Sequence, residues 1–229
     1  MEKKEILKKA FKASVPVMGG YLLLGMGFGI LLDSIGFGVL WAFSMSLFIF
    51  AGSMQFALVP MMASGASLLT VALSTFVINF RHIFYGLSMI DRYKGAGKKK
   101  PYLIYALTDE TYSLVSVGND DMDKGDYLTY CFWLTLMDHC YWVTGSVIGS
   151  LLGGVLSFST EGVDFVLTAL FISILVKQWT ESEDKKPAVL GLIASIACRA
   201  IFGAGNFLIP SMLVIAALLF AIKPKEEKS

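Results

Sequence analysis

Residues 34–80 read SIGFGVLWAFSMSLFIFAGSMQFALVPMMASGASLLTVALSTFVINF, a stretch without Asp, Glu, Lys or Arg. As one continuous α-helix these 47 residues would be roughly 70 Å long. The hydrocarbon core of a membrane is about 30 Å thick, so we infer that the stretch enters lipid and turns back. The small residues that permit such turns are Ala51-Gly52-Ser53 and Ala63-Ser64-Gly65.

The composition of the whole chain agrees with this inference. The 229 residues are 55% hydrophobic and 16% charged, with a mean hydropathy of +0.66, whereas soluble domains are about 45–50% apolar and about 25% charged. The composition therefore predicts an all-α integral membrane protein in contact with the lipid bilayer. A net charge of +1 leaves no basic face for nucleic acid. The three cysteines lie in apolar stretches and show no ligand spacing, so we predict neither disulfides nor a metal site.

Predominantly apolar segments of spanning or near-spanning length recur along the chain. They are residues 16–32, 37–63, 66–90, 127–155, 164–179, 188–205 and 207–222. They predict six to seven transmembrane segments in a single polytopic domain, residues 1–229. In this prediction residues 1–15 are a cytoplasmic amphipathic tail, 16–222 the membrane region and 223–229 a second cytoplasmic tail.

The basic residues predict the orientation, because short cytoplasmic loops retain Lys and Arg. Sixteen of the 19 lie in the N-terminal tail, the loop 92–100, the stretch 177–186 and the C-terminal tail. If all four are cytoplasmic, one segment before residue 92 does not cross. We predict that residues 37–63 form a re-entrant or broken helix at Ala51-Gly52-Ser53, since broken helices recur at transporter substrate sites.

The same counting predicts that residues 102–118 do not span the membrane. Asp109 and Glu110 lie in the middle of this 17-residue segment, which would dip in from the cytoplasmic side or lie at the interface. The acidic stretch 119–126 is predicted to be a solvated loop.

Arg81 is one of three charged residues inside the apolar segments, with Asp138 and Arg199, and such residues are functional hypotheses by default. It belongs to a stripe of helically spaced polar residues, Ser67, Thr70, Ser74, Arg81, Tyr85 and Ser88. In one interpretation Arg81 extends to the headgroups while the hydroxyls bond to their own helix. In the other, the stripe lines a hydrated path and Arg81 offers its guanidinium to a carboxylate.

Asp138 shares a helix face with Trp142, Gly145 and Gly149, whose small residues permit close approach of another helix. It could carry protons or pair with Arg81 or Arg199. The two histidines, His82 and His139, suit proton coupling because histidine titrates near physiological pH. Structural roles for both are open alternatives.

Two segments around charged residues are similar, Ile78–Phe84 and Ile196–Phe202. Transporters commonly contain structural repeats, and chance similarity between apolar sequences is the rival explanation. The sequence contains neither a phosphate-binding loop ending in Gly-Lys-Ser/Thr nor a Gly-x-Ser-x-Gly nucleophile elbow. We therefore predict a secondary transporter without a cofactor rather than an enzyme, with a channel or structural membrane subunit as the alternative.

An ordered set of motifs resembles the AzlC family of branched-chain amino acid exporters. The motifs are Phe50-Ala51-Gly52-Ser53-Met54-Gln55-Phe56, Arg81-His82 with Tyr85, Leu107-Thr108-Asp109-Glu110, Trp142-Val143-x-Gly145 with Gly149, and Ala169-Leu170-Phe171. The resemblance implies efflux of leucine, isoleucine and valine, with methionine as a further candidate. It also implies coupling to protons, a small AzlD-like membrane subunit as partner, and a multi-pass location in the bacterial cytoplasmic (inner) membrane with the N-terminus inside.

The site predicted from position and chemistry centres on the break at residues 51–53. Backbone amides at Gly52 and Ser53 would bind the substrate carboxylate at the start of a half-helix, where the helix dipole favours an anion. The other predicted substrate-binding residues are Gln55, Asn79, Arg81 and Tyr85. The residues predicted to couple protons are His82, Asp109, Glu110 and Asp138.

Overall fold

The computed structural model describes residues 2–116, 122–155, 185–203 and 207–221, together with positions 172, 175, 176, 179 and 180. The helices in this part of the chain are α1 (Lys3–Ser34), α2 (Val39–Phe48), α3 (Gly52–Ala63), α4 (Leu68–Asn79), α5 (Arg81–Met89), α6 (Lys100–Tyr105), α7 (Asp109–Ser116), α8 (Lys124–Val155), α9 (Lys186–Phe202) and α10 (Leu208–Ala221). A 3-10 turn, Gly97–Lys99, precedes α6. The described residues contain no strand, so the all-α prediction is confirmed for them.

The predicted break in residues 37–63 is present. Helix α2 ends at Phe48 and α3 begins at Gly52, so the interruption lies two residues before the predicted position. Phe50 has a φ of 44°, in the left-handed region that non-glycine residues rarely adopt. The backbone strain is localised at this one residue between two helices. The second predicted turn is also confirmed, since Gly65 follows α3 with a φ of 65°.

Helices α1 and α8 pack through their backbones. A Cβ atom on Gly29 would overlap the carbonyl oxygen of Ser146, and one on Gly149 would overlap that of Met26. A Cβ on Gly25 would likewise lie only 2.9 Å from the Trp142 carbonyl oxygen. The close approach that the glycine spacing predicts is therefore confirmed, with α1 as the partner helix.

Helix α1 includes residues 3–15 of the segment predicted to be an amphipathic tail. Ile6 and Ala10 are 1% and 0% exposed and join a buried cluster with Tyr93, Leu103 and Leu134. The amphipathic start of the chain thus packs on the α6–α8 region.

The chain divides into two compact units. The first contains residues 1–67 and 78–164, and holds α1–α3 and α5–α8; the second contains residues 68–77 and 165–229. In the second, α9 packs against α10, where a Cβ on Gly191 would lie 3.9 Å from Ile215 Cδ1. Gly203 ends α9 with a φ of 76° and donates its backbone N–H to the Arg199 carbonyl.

Large apolar side chains are exposed on many helices, among them Leu23 at 69%, Leu40 at 76% and Phe48 at 73%. Exposed apolar surface of this kind marks contact with lipid or another protein. Within the described residues, α1 is long and apolar enough to cross a membrane, and the bent pair α4 and α5 is a second candidate if it forms one span. The count of six to seven spans stays a prediction.

Two predicted segments differ from simple helices. Residues 66–90 are interrupted at Phe80, between α4 and α5. Residues 102–118 contain two short helices, α6 and α7, of six and eight residues. At about 1.5 Å per residue neither could cross a membrane, as predicted. Residues 117–121 and most of 164–179, including Ala169-Leu170-Phe171, lie outside the described residues.

Candidate functional site

Arg81 joins the starts of three helices. Its Nη2 lies 2.8 Å from Asp109 Oδ2 in an ion pair and donates a hydrogen bond to Ser53 Oγ at 3.1 Å. Arg81 is the first residue of α5, Asp109 the first of α7 and Ser53 the second of α3. Because helix N-termini carry partial positive charge, Asp109 suits its position and also compensates for Arg81. We call Ser53, Arg81 and Asp109 the charged site.

The charged site retains unused hydrogen-bonding capacity. Arg81 Nε and Asp109 Oδ1 are buried atoms without a hydrogen-bond partner among the described residues. The side chains as wholes are 35% and 32% exposed, so the site is about one-third exposed. The charged site therefore contains one donor and one acceptor of opposite charge that make no hydrogen bond within the described residues.

The start of α3 is held in place by Gln55. The Gln55 Oε1 accepts hydrogen bonds from Trp142 Nε1 at 3.0 Å and from the Ala51 backbone N–H at 3.2 Å. Its Nε2 donates to Ser46 Oγ, which in turn donates to Ser146 Oγ at 2.7 Å. Gln55 is fully buried, so it fixes the break against α8 rather than facing the charged site.

Gly52 lies against the same indole ring. A Cβ on Gly52 would sit 3.0 Å from Trp142 Cη2, so a larger residue would displace α3 from α8. The backbone N–H groups of Gly52 and Ser53, in the first turn of α3, have no partner within their own helix.

His139 anchors the strained residue before α3. Its ring stacks on Phe50 with centroids 4.2 Å apart, and its Nε2 lies 3.2 Å from the Ser46 carbonyl oxygen. Since a carbonyl only accepts, Nε2 carries a proton, and a neutral ring then accepts the Tyr102 hydroxyl at Nδ1, 3.0 Å away. These contacts assign His139 a structural position.

Asp138 belongs to a second polar group. Its Oδ2 accepts a hydrogen bond from Thr111 Oγ1 at 2.9 Å, and Thr111 Oγ1 lies 3.0 Å from Thr108 Oγ1. Tyr21 Oη lies 2.6 Å from Thr108 Oγ1 and 2.8 Å from Glu110 Oε2. We call these five residues the hydroxyl chain. Asp138 and Thr111 are 0% exposed.

The structure thus divides the predicted site residues. Ser53, Arg81 and Asp109 meet directly, and Tyr85 faces Asp109 while stacking on Tyr112 at a centroid distance of 4.4 Å. The remaining predicted residues have other surroundings. The backbone carbonyl oxygen of Asn79 lies within hydrogen-bond distance of His82 Nδ1. Glu110 and Asp138 form the two ends of the hydroxyl chain. Gln55 holds the break between α2 and α3 against Trp142.

The structure also shows which groups Arg81 and Asp138 contact, a question that the sequence left open. Arg81 binds a carboxylate of the protein, and Asp138 bonds to Thr111 rather than to Arg81. The segments with similar sequence differ in local structure: Arg81 begins a helix, whereas Arg199 lies in the last turn of one and sits over the Phe207 ring at 6.0 Å. Their local structures give no support to a repeat.

Sequence reasoning assigns no site role to Tyr21, Thr108, Thr111 or Trp142. Thr108 and Thr111 flank the acidic pair, so the pattern Thr-Asp-Glu-Thr is the signal that could have found them. Tyr21 lies one helical turn before Gly25, and nothing in the sequence alone points to its partners.

The described residues contain helices and no strands, and they carry exposed large apolar side chains, as expected of a membrane protein. The family model described as AzlC protein matches residues 16–156, and the chain belongs to the AzlC family. It is 40% identical over 224 residues, 97% of this chain and 87% of the relative, to the branched-chain amino acid transport protein AzlC of Bacillus subtilis.

Other relatives carry membrane-protein names. An uncharacterized membrane protein of Helicobacter pylori is 39% identical over 93% of this chain and 94% of its own. The inner membrane protein YgaZ of Escherichia coli is 27% identical over 83% of this chain and 81% of its own. No solved structure matches the chain.

Proposed function

We propose that this chain is a secondary transporter that exports branched-chain amino acids from the bacterial cytoplasm. Membership of the AzlC family and the name of the Bacillus subtilis relative support the substrate class. The observation that carries the proposal is the charged site, because an amino acid at neutral pH is itself a pair of opposite charges.

The two unused groups of the charged site match the two charged ends of the substrate. Arg81 Nε would donate to the substrate carboxylate, assisted by the backbone N–H groups at the start of α3. Asp109 Oδ1 would accept from the substrate ammonium group. The existing pair between Arg81 and Asp109 keeps both charges compensated when no substrate is bound.

The aliphatic side chain of the substrate would lie against Tyr85 and Tyr112, the stacked rings beside Asp109. Such a surface distinguishes substrates by size rather than by hydrogen bonds. One methylene in an apolar pocket changes affinity by about 1–3 kcal/mol, so overlapping recognition of leucine, isoleucine and valine follows, with methionine as a further substrate.

The remaining parts of the proposal rest on the family resemblance and on charge distribution. Export is coupled to protons and requires a small AzlD-like membrane subunit. The protein is multi-pass, and the Lys-rich N-terminus, the loop 92–100 and the C-terminal tail lie on the cytoplasmic side.

The test is release of preloaded radiolabelled leucine from cells that make this chain, alone and with an AzlD-like subunit, with and without a protonophore. We expect efflux that needs the subunit and stops when the proton gradient collapses. Flux without proton coupling would support the channel alternative. Absence of leucine flux, with the protein present in the membrane, would contradict the proposed substrate.

Two variants test the charged site itself. Asp109→Asn keeps the shape but removes the charge that would bind the ammonium group, so it should weaken leucine binding. The matched control is Lys98→Gln, which removes a charge from an exposed position in the basic loop. Equal efflux by Asp109→Asn and Lys98→Gln would remove Asp109 from substrate binding.

A further inference from the structure

The hydroxyl chain connects two carboxyl groups through three hydroxyls. The order of contacts is Glu110, Tyr21, Thr108, Thr111 and Asp138, with oxygen–oxygen distances of 2.8, 2.6, 3.0 and 2.9 Å. All four contacts are within the normal range for O–H···O hydrogen bonds. The three hydroxyl residues are 8% exposed or less, so neighbouring protein atoms, not bulk water, surround them.

The number of protons available determines the protonation state of the hydroxyl chain. Four hydrogen bonds need four protons, and each of the three hydroxyls supplies one. If both carboxyl groups were ionised, two oxygens in the chain would face each other without a proton between them. One proton held by Glu110 or by Asp138 completes the set.

Among the described residues, no other group supplies this proton to the hydroxyl chain. The Thr111 backbone N–H donates to Thr108 Oγ1 at 3.3 Å, so that oxygen already accepts one bond, donates one and has a single lone pair left for Tyr21 or Thr111. Asp138 Oδ1 is buried without a hydrogen-bond partner among the described residues. Buried polar groups are costly unless they are hydrogen-bonded, and an ionised Asp138 would leave this oxygen uncompensated.

Among the described residues, Asp138 has few charged and titratable neighbours. Glu110 is the charged group that acts on it from α7. Tyr21 on α1, Tyr102 on α6 and Tyr130 on α8 are the titratable groups that interact with it. His139, the next residue, is occupied by Tyr102 and the Ser46 carbonyl.

We propose that Glu110 and Asp138 share a single proton, which moves between them along the hydroxyls of Tyr21, Thr108 and Thr111. With the proton on Asp138, each hydroxyl donates toward Glu110. Transfer then passes the Asp138 proton to Thr111, the Thr111 proton to Thr108, the Thr108 proton to Tyr21 and the Tyr21 proton to Glu110. Every hydroxyl ends with one proton, and the chain now donates toward Asp138.

The two ends of this path have different access to water. Glu110 is half-buried and Asp138 is fully buried, so Glu110 is the entry and Asp138 the storage position. The role of this path in leucine export rests on the proposed function; the shared proton itself does not.

Infrared spectroscopy of the lipid-reconstituted protein tests the shared proton directly. At neutral pH we expect a carbonyl band of a protonated carboxylic acid. The band should vanish in Asp138→Asn, because the amide N–H supplies the missing donor and lets Glu110 ionise. It should persist in Asp91→Asn, a matched control with an exposed carboxyl. Absence of the band from the wild type, or its persistence in Asp138→Asn, would overturn the proposal.

Hydrogen exchange tests the path. In D2O the band should shift promptly in the wild type and slowly in Thr111→Val, because the valine interrupts the hydroxyls. Thr111→Ser restores the hydroxyl, should restore prompt exchange and shows that any loss is not a folding defect. Equally prompt exchange in Thr111→Val would show that the hydroxyls only hold the helices together.

Leucine transport separates this inference from the proposed function. Thr111→Val should lower proton-driven leucine efflux by about tenfold, the effect of losing one hydrogen bond to a charged group, while leucine exchange across the membrane is unchanged. A wild type that has the band but moves no leucine contradicts the proposed function and leaves the shared proton standing. A wild type that moves leucine but lacks the band contradicts the shared proton alone.

Discussion

Asp109 and Asp138 are two acidic residues of the same compact unit, and their carboxyl groups have different kinds of partner. Asp109 pairs with Arg81 at 2.8 Å in a site about one-third exposed. Asp138 is fully buried and bonds to a hydroxyl. An ion pair beside solvent can open to admit a charged ligand, whereas a carboxyl among hydroxyls can only gain or lose a proton. The comparison therefore separates a candidate substrate site from a candidate proton site.

Arg81→Gln is expected to have the largest effect, because it removes the cation of the charged site. It removes the guanidinium that would bind the substrate carboxylate and leaves Asp109 without its partner. Loss of a hydrogen bond to a charged group costs about 1.5–3 kcal/mol. Because the pair is about one-third exposed, solvent screens part of this effect, and we expect more than a tenfold loss in leucine affinity. Binding assays on the purified protein and efflux from cells measure the effect. Normal efflux with Arg81→Gln would remove this residue from the mechanism.

Gly29→Ala tests whether the hydroxyl chain depends on the α1–α8 contact. The new Cβ would overlap the Ser146 carbonyl oxygen, and overpacking of this kind costs about 1–3 kcal/mol. We expect a lower thermal unfolding midpoint and loss of the infrared band, since Tyr21 moves with α1. Gly19→Ala is the control, because a Cβ there meets nothing within 4 Å. An unchanged midpoint for Gly29→Ala would contradict the close helix contact.

Asp138→Asn separates the contribution of this residue to proton transfer from its contribution to packing. Asparagine has the same shape, and its amide N–H donates to Thr111 in place of the acid proton, so we expect a change in unfolding free energy below about 1 kcal/mol. Proton-driven efflux should nevertheless fall about tenfold, because no proton can be stored at this position. Unfolding in denaturant and efflux at a fixed pH gradient provide the two measurements. Full proton-driven efflux would show that Asp138 has a structural role.

Asp91→Asn gives the smallest expected effect. Asp91 and Lys94 form an exposed pair at 2.6 Å, and hydrogen bonding to Lys94 lowers the pKa of Asp91 and raises that of Lys94. The stabilisation is present above the ordinary aspartate pKa and is lost as pH falls below it through the lowered value. Exposed pairs contribute little, so stability and efflux at neutral pH should match the wild type. A clear loss of efflux would give this loop a role in transport.

Several features of the fold follow from short-range patterns. The 47-residue uncharged stretch predicts membrane burial and a turn, and the break near residues 51–53 is present. The glycine spacing of α8 predicts close helix packing, which Gly145 and Gly149 make with α1. These predictions succeed because helix length, turn chemistry and small-residue spacing are properties of neighbouring residues.

The site can be predicted only in part. Arg81 and Ser53 are recognisable as candidate site residues because a charge and a helix break are conspicuous in apolar sequence. The carboxylate that meets Arg81 cannot be deduced, since Asp109 lies on a separate short helix. The sequence also predicts Gln55 as a substrate-binding residue, and the structure shows its amide oxygen bonded to Trp142 and Ala51.

The sequence by itself determined the apolar character, the helical class, the approximate position of the break and the family of this protein. The tertiary structure alone decided which polar groups meet: Arg81 with Asp109, and Tyr21 with Thr108 across 87 positions of the chain. The physical reason is that a hydrogen bond between helices depends on their relative rotation and axial register within a few tenths of an ångström. Those quantities result from the packing of whole helices, and no local pattern of residues specifies them.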